Sequence, residues 1–79
     1  VVPFIRGDYD SNAMERHDKK LNNKVTRMFS GSFKVRIWDG VWSGRTFLIQ
    51  PMTFFHPHSH GIGDRISSLK VRYPWEGNP

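Results

Sequence analysis

Apolar and polar positions alternate most regularly between Phe33 and Ile49. Phe33, Val35 and Ile37 take turns with Lys34 and Arg36, which is the period of a strand with one face buried. Asp39-Gly40 predicts a turn, and Trp42, Phe47 and Ile49 form a second apolar series bent at Ser43-Gly44-Arg45. Residues 50–63 contain Pro51, Pro57, Gly61 and Gly63, predicting a loop with at most a short extended piece. From Ile66 onward, Leu69, Val71 and Tyr73 alternate with Lys70 and Arg72 as a further strand, and 74–79 reads as a loose tail. Near the start, Val2, Phe4 and Ile5 suggest a strand that Gly7-Asp8 ends. Residues 11–21 suit a short helix capped by Ser11 or Asn12. Its apolar content is Ala13, Met14 and Leu21, which predicts a surface turn rather than a core helix. A strand over 25–29 follows and Ser30-Gly31 breaks it. Many short strands separated by Gly and Pro predict one all-β domain over 1–79, a small sandwich or barrel.

Composition narrows the chemistry. The 79 residues include no cysteine, which excludes a disulfide scaffold, a zinc ribbon and a thiol nucleophile. No apolar run approaches the ~18 residues of a membrane span, and the opening Val-Val-Pro-Phe is no secretory leader, so a signal peptide is expected to be absent or already removed. Aliphatic residues are few, but three Trp, six Phe and two Tyr can build a compact core, since each ring removes ~150–250 Å² from water. Twelve Lys and Arg against seven Asp and Glu give a net charge of +5, which favours anionic partners without specifying a fold. The cations are scattered except at Lys19, Lys20, Lys24 and Arg27, so no specific nucleic-acid partner is expected.

Two segments resemble each other 41 residues apart: Asn22-Asn23-Lys24-Val25-Thr26-Arg27-Met28 and Gly63-Asp64-Arg65-Ile66-Ser67-Ser68-Leu69. Each runs from small polar residues through a cation, a β-branched residue and a hydroxyl to an apolar strand start, as a duplicated supersecondary unit would. The second segment, continued by Lys70-Val71, resembles the signature turn and strand of βγ-crystallin Greek-key motifs, Asn/Asp-Asn/Asp-x-x-Ser/Thr-Ser. The first is similar to a degenerate copy. Ser30-Gly31-Ser32-Phe33 resembles the entry to a second motif, Trp42-Ser43-Gly44-Arg45 the fold of its first hairpin, and Phe4-Ile5-Arg6-Gly7-Asp8-Tyr9 the stretch before the signature turn. The aromatic expected five residues before Trp42 is Ile37, with Trp38 one place out of register. The resemblance implies a βγ-crystallin-like Greek-key sandwich with a partial first motif over 1–31, a second over 32–73 and a tail over 74–79. The first motif lacks its opening hairpin, so the expectation is either that Val1 follows a processing boundary or that a homodimer partner or a completing strand from another chain supplies it.

The resemblance also implies calcium, bound by the signature turns. Carried over by position, the ligands are Asn22, Asn23 and Thr26 from one turn and Asp64, Ser67 and Ser68 from the other, with Asp39 lending an oxygen from the hairpin turn. Arg27 and Gly63 depart from the pattern, and few carboxylates among Lys24, Arg27 and Arg65 imply weak sites. Independently of the resemblance, His56, His58 and His60 fall on alternate positions, which in an extended chain would turn three imidazoles one way toward a transition metal. A solvated loop is the simpler reading of the same residues. Arg6-Gly7-Asp8 spells an integrin-recognition tripeptide, which a structural turn explains better.

No Gly-x-Ser-x-Gly elbow, phosphate-cradling loop or paired carboxylates occur, which argues against an enzyme. Three functions follow as expectations. The first is a calcium-binding βγ-crystallin-type domain with weak or degenerate sites, in which calcium serves stability. The second is a basic secreted antimicrobial, killer-toxin-like or inhibitor protein on the same fold. Trp38, Trp42 and Trp75 with Arg36, Arg45 and Arg72 would then bind cell-wall polysaccharide or an anionic surface in an extracellular setting. The third is a purely structural crystallin-type domain. In the family hairpin Trp42 matches a core position, leaving Trp75 as the exposed ring.

Overall fold

The computed structural model describes residues 2–18 and 21–79. The Lys19-Lys20 part of the basic cluster lies outside the described residues. Regular structure is mostly strand, arranged as two antiparallel sheets with little helix. Strands β1 (Gly7–Tyr9), β3 (Lys34–Trp38), β4 (Thr46–Ile49) and β6 (Ser68–Arg72) form one sheet in the order β1-β6-β3-β4. Strands β2 (Met28–Phe29) and β5 (Phe54–Phe55) form the other. A helix, α1 (Ser11–His17), and a 3₁₀ turn at Pro57–His60 complete the described regular structure, and no helix is long and apolar enough to cross a membrane.

The predicted period of β3 places Val35 and Ile37 inward and Lys34 and Arg36 outward. Val35 pairs with Ile49 on one side and Val71 on the other, and Ile37 sits between Phe47 and Leu69. These residues join Met14, Val25, Phe55, Ile62 and Ile66 in a single core. Between β3 and β4 the backbone of Asp39 and Arg45 is clamped twice. Asp39 N–H donates to Arg45 O (3.1 Å), and Arg45 N–H donates to Asp39 Oδ1 (2.9 Å). Gly44, at φ +83°, leaves the space that this carboxylate occupies, where a Cβ would collide with Oδ1.

Several elements differ from the sequence reading. The first strand is Gly7–Tyr9 rather than Val2 to Ile5, because Gly7, Asp8 and Tyr9 pair with Val71, Lys70 and Leu69. Phe4 instead contributes its ring, stacked on His17 at 4.4 Å and edge-on to Tyr9 at 4.7 Å. The cap of α1 is Asp10, whose carboxylate accepts Ala13 N–H at 2.7 Å; Ser11 turns away to donate to Ser67 O. The helix stops at His17, and it is no mere surface turn, since Met14 is completely buried. One large side chain suffices because Met14 joins the single core with residues from both sheets. Of the strand expected over 25–29, Met28 and Phe29 pair.

The tail over 74–79 is tied down. Arg6 grips the Glu76 carboxylate through Nε (2.7 Å) and Nη2 (2.8 Å), and Tyr73 N–H donates to Glu76 Oε1 (2.9 Å). Lys34 Nζ donates to Glu76 O and Arg36 Nε to Pro79 O. The outward cations of β3 thus hold the segment that local sequence marks as loose.

Candidate functional site

The two similar segments fold into matching turns. Lys24 N–H donates to Leu21 O and Arg65 N–H to Ile62 O, both at 3.0–3.1 Å. The third residue of each turn is left-handed, Asn23 at φ +59° and Asp64 at φ +57°. Asn and Asp tolerate this region better than most side chains because they bond to nearby backbone.

The turn at residues 21–24 is also docked on the second repeat segment. Asn23 N–H donates to Ile66 O (3.0 Å), and the Ser67 hydroxyl donates to Asn23 Oδ1 (2.8 Å). Asn22 Nδ2 reaches Glu15 Oε1 of α1 at 3.4 Å. This leaves Asn22 Oδ1 buried with no hydrogen-bond partner among the described residues. An unpartnered acceptor at such a place costs ~1–3 kcal/mol unless a cation or water satisfies it. Asn23 and Ser67 are therefore brought together, with Asn22 next in the chain directed to Glu15. Glu15 was not among the sequence candidates, since it lies seven residues before Asn22 and only α1 carries it there.

The other carried-over positions separate. Ser68 is completely buried and its hydroxyl is engaged on both sides, donating to Gly40 O (2.7 Å) and accepting Trp42 N–H (3.1 Å). Its place is to fasten the β3–β4 loop to β6. Asp39 is taken up in the clamp with Arg45. Thr26 is exposed on the approach to β2. Asp64 is exposed, with Oδ2 3.6 Å from His58 Nε2, so its carboxylate faces an imidazole.

The histidines do not share one face. Pro57–His60 is a 3₁₀ turn, which removes the period of two that would have aligned them. His60 stacks on Phe55 at 4.5 Å and meets Phe47 edge-on at 5.2 Å, while His58 turns to Asp64. Among the described residues no three His, Asp or Glu side chains are grouped to hold a metal.

The aromatic residues also sort by environment. Trp42 is 40 % exposed at φ +56°, outside the core expected for it, with its ring edge-on to Trp38 (5.2 Å) and Lys70 Nζ 5.1 Å from its centroid. Trp75 is 78 % exposed, as expected, and lies nearly parallel to Tyr73 at 4.7 Å. Arg6 completes that group, 6.0 Å over Tyr73.

No protein-family model, curated protein or solved structure matches this chain.

Proposed function

We propose that the chain is a non-enzymatic, βγ-crystallin-type domain whose paired turns take up calcium weakly and use it for stability. The strand order supports a Greek-key return, because β3 and β4 form a hairpin, the chain leaves for β5, and β6 comes back beside β3. The observation that carries the calcium reading is the buried, unpartnered Oδ1 of Asn22, in the turn whose next residue, Asn23, accepts the Ser67 hydroxyl. The donors there are all oxygens, as a hard cation requires, but amide and hydroxyl outnumber carboxylate. Asn22, Asn23 and Ser67 would hold the ion, with Glu15 supplying a carboxylate at Asn22. Ser68 would support the arrangement by fixing the loop. The ion would supply charge neutralisation and a tie between the turns, stabilising the fold as RT ln(1 + [Ca²⁺]/Kd).

Thermal melting in millimolar calcium and in chelator tests this. A higher Tm with calcium, lost in Asn22→Ala, is expected; an unchanged Tm overturns the calcium reading.

A second reading is favoured by a separate observation, the exposed Tyr73–Trp75 stack beside Arg6. Here the same fold serves as a basic secreted antimicrobial, toxin-like or inhibitor protein that binds cell-wall polysaccharide or an anionic surface. Retention on chitin, glucan or anionic vesicles in chelator, abolished by Trp75→Ala, would select it. A purely structural domain is what remains when calcium and these surfaces both fail.

A further inference from the structure

The outer face of the four-stranded sheet gathers cations that are dispersed along the sequence. Lys34 stands directly opposite Arg72 across the β3–β6 ladder, and Arg36 stands directly opposite Lys70. Like charges placed this way destabilise a sheet, yet two such pairs lie side by side on its central strands. Asp8 of β1, opposite Lys70, is the one carboxylate on this face of the four strands, and it accepts from Arg72.

Oxygens and rings meet the other three cations. Lys34 Nζ donates to Glu76 O, and Arg36 Nε donates to Pro79 O. Lys70 Nζ lies 5.1 Å from the Trp42 ring centroid and 5.9 Å from that of Trp38. Trp38 continues the outward series of Lys34 and Arg36 along β3, and Trp42 stands edge-on to it at 5.2 Å. Trp42 is 40 % exposed. One face of the sheet thus offers charge along the central strands and indole rings at one end.

That combination selects among anions. A phosphate oxygen is a stronger acceptor from Lys and Arg than a peptide oxygen such as that of Glu76. A lipid headgroup would use the cations alone, and a duplex keeps its bases stacked on one another. An unpaired strand presents phosphates and open base faces together, which is what a basic groove with aromatic platforms takes up.

We infer that the outer face of β3 and β6 binds single-stranded nucleic acid without sequence preference, with phosphates on Lys34, Arg36, Lys70 and Arg72 and a base on Trp42. The scattered cations of the sequence become a binding surface because the strand register sets two pairs of them opposite each other. The surface uses other residues than the turns assigned to calcium and than the Tyr73–Trp75 stack, so it stands independently of both readings.

The test uses the whole chain in chelator and a labelled oligothymidylate of about twelve nucleotides, with a duplex of equal length and anionic vesicles as the alternatives. Binding is read by fluorescence anisotropy across a salt series, and ring contact by tryptophan fluorescence. The oligothymidylate is expected to bind more tightly than the duplex. Its log K should fall with log salt at a slope of up to about −2.8, from about −0.7 for each of four phosphates. Quenching should persist in Trp75→Phe, whereas Trp42→Ala should lose it in part and weaken binding about fivefold or more. Lys34→Gln combined with Lys70→Gln relieves both like-charged pairs, so the fold is kept; it should weaken binding about tenfold or more and flatten the slope by about 1.4. The salt slope and the quenching of the unmodified protein stand if a variant misfolds. No binding in low salt, equal binding of the duplex, or quenching carried by Trp75 would each overturn the inference. So would retention on the vesicles without binding of the oligothymidylate, since the occupant would then be a lipid surface.

Discussion

The Ser67 hydroxyl donates to Asn23 Oδ1 at 2.8 Å, joining the two similar turns of the chain through a single side-chain bond. The bond spans 44 residues of sequence, and beside it Asn23 N–H donates to Ile66 O. It links the approach to β2 with the approach to β6, and so couples the two sheets.

Removing this bond should cost a modest amount. Ser67→Ala is expected to destabilise by ~0.5–1.5 kcal/mol, the usual net value of one such hydrogen bond. Asn23→Ala should cost more, because alanine also tolerates the left-handed φ of +59° less well. Chemical denaturation of both variants checks the order.

Ser68 provides a sharper contrast, one position along the chain. Its completely buried hydroxyl serves Gly40 O and Trp42 N–H together. Ser68→Ala leaves two part-buried backbone groups without their partner and should cost ~1–3 kcal/mol. Fluorescence of Trp42 should change in this variant and stay near normal in Ser67→Ala, since the β3–β4 loop depends on residue 68 alone of the two.

Met14 tests whether α1 belongs to the core. Met14→Ala empties a completely buried site and should destabilise by ~2–5 kcal/mol. A loss below about 0.5 kcal/mol, typical of surface positions, would show that the helix frays without consequence.

The tail carries a pH dependence. Hydrogen bonding from Arg6, then from Tyr73 N–H, pulls the Glu76 carboxyl down to about 2. In an unfolded chain glutamate titrates near ~4.3. The contribution of Glu76 is therefore complete above that value and is lost as pH falls through the folded pKa of about 2. Trp75 fluorescence should report loosening of the tail between these limits, and Glu76→Gln should remove the transition, because its side chain no longer titrates.

How much of this was legible in the sequence depends on how locally each feature is determined. The alternation of Val35 and Ile37 with Lys34 and Arg36, and of Leu69 and Val71 with Lys70, placed the central strands, because sheet sidedness repeats every two residues. The similarity of residues 22–28 to 63–69 anticipated two turns with the same closing bond and the same left-handed residue, since short polar turns encode their own backbone shape. The sequence by itself therefore determined the all-β character, the central β3–β4 hairpin with β6, and the two turns. Tertiary structure decided what depends on partners distant in the chain. Gly7–Tyr9 became a strand because β6 offered an edge, Met14 became core because it meets residues far along the chain, and residues 74–79 were held by Arg6, Lys34 and Arg36. The candidate ion site divides along the same line. Asn22, Asn23 and Ser67 were visible as residue types, but the bond between Asn23 and Ser67, and the arrival of Glu15 at Asn22, required contacts that no local pattern contains.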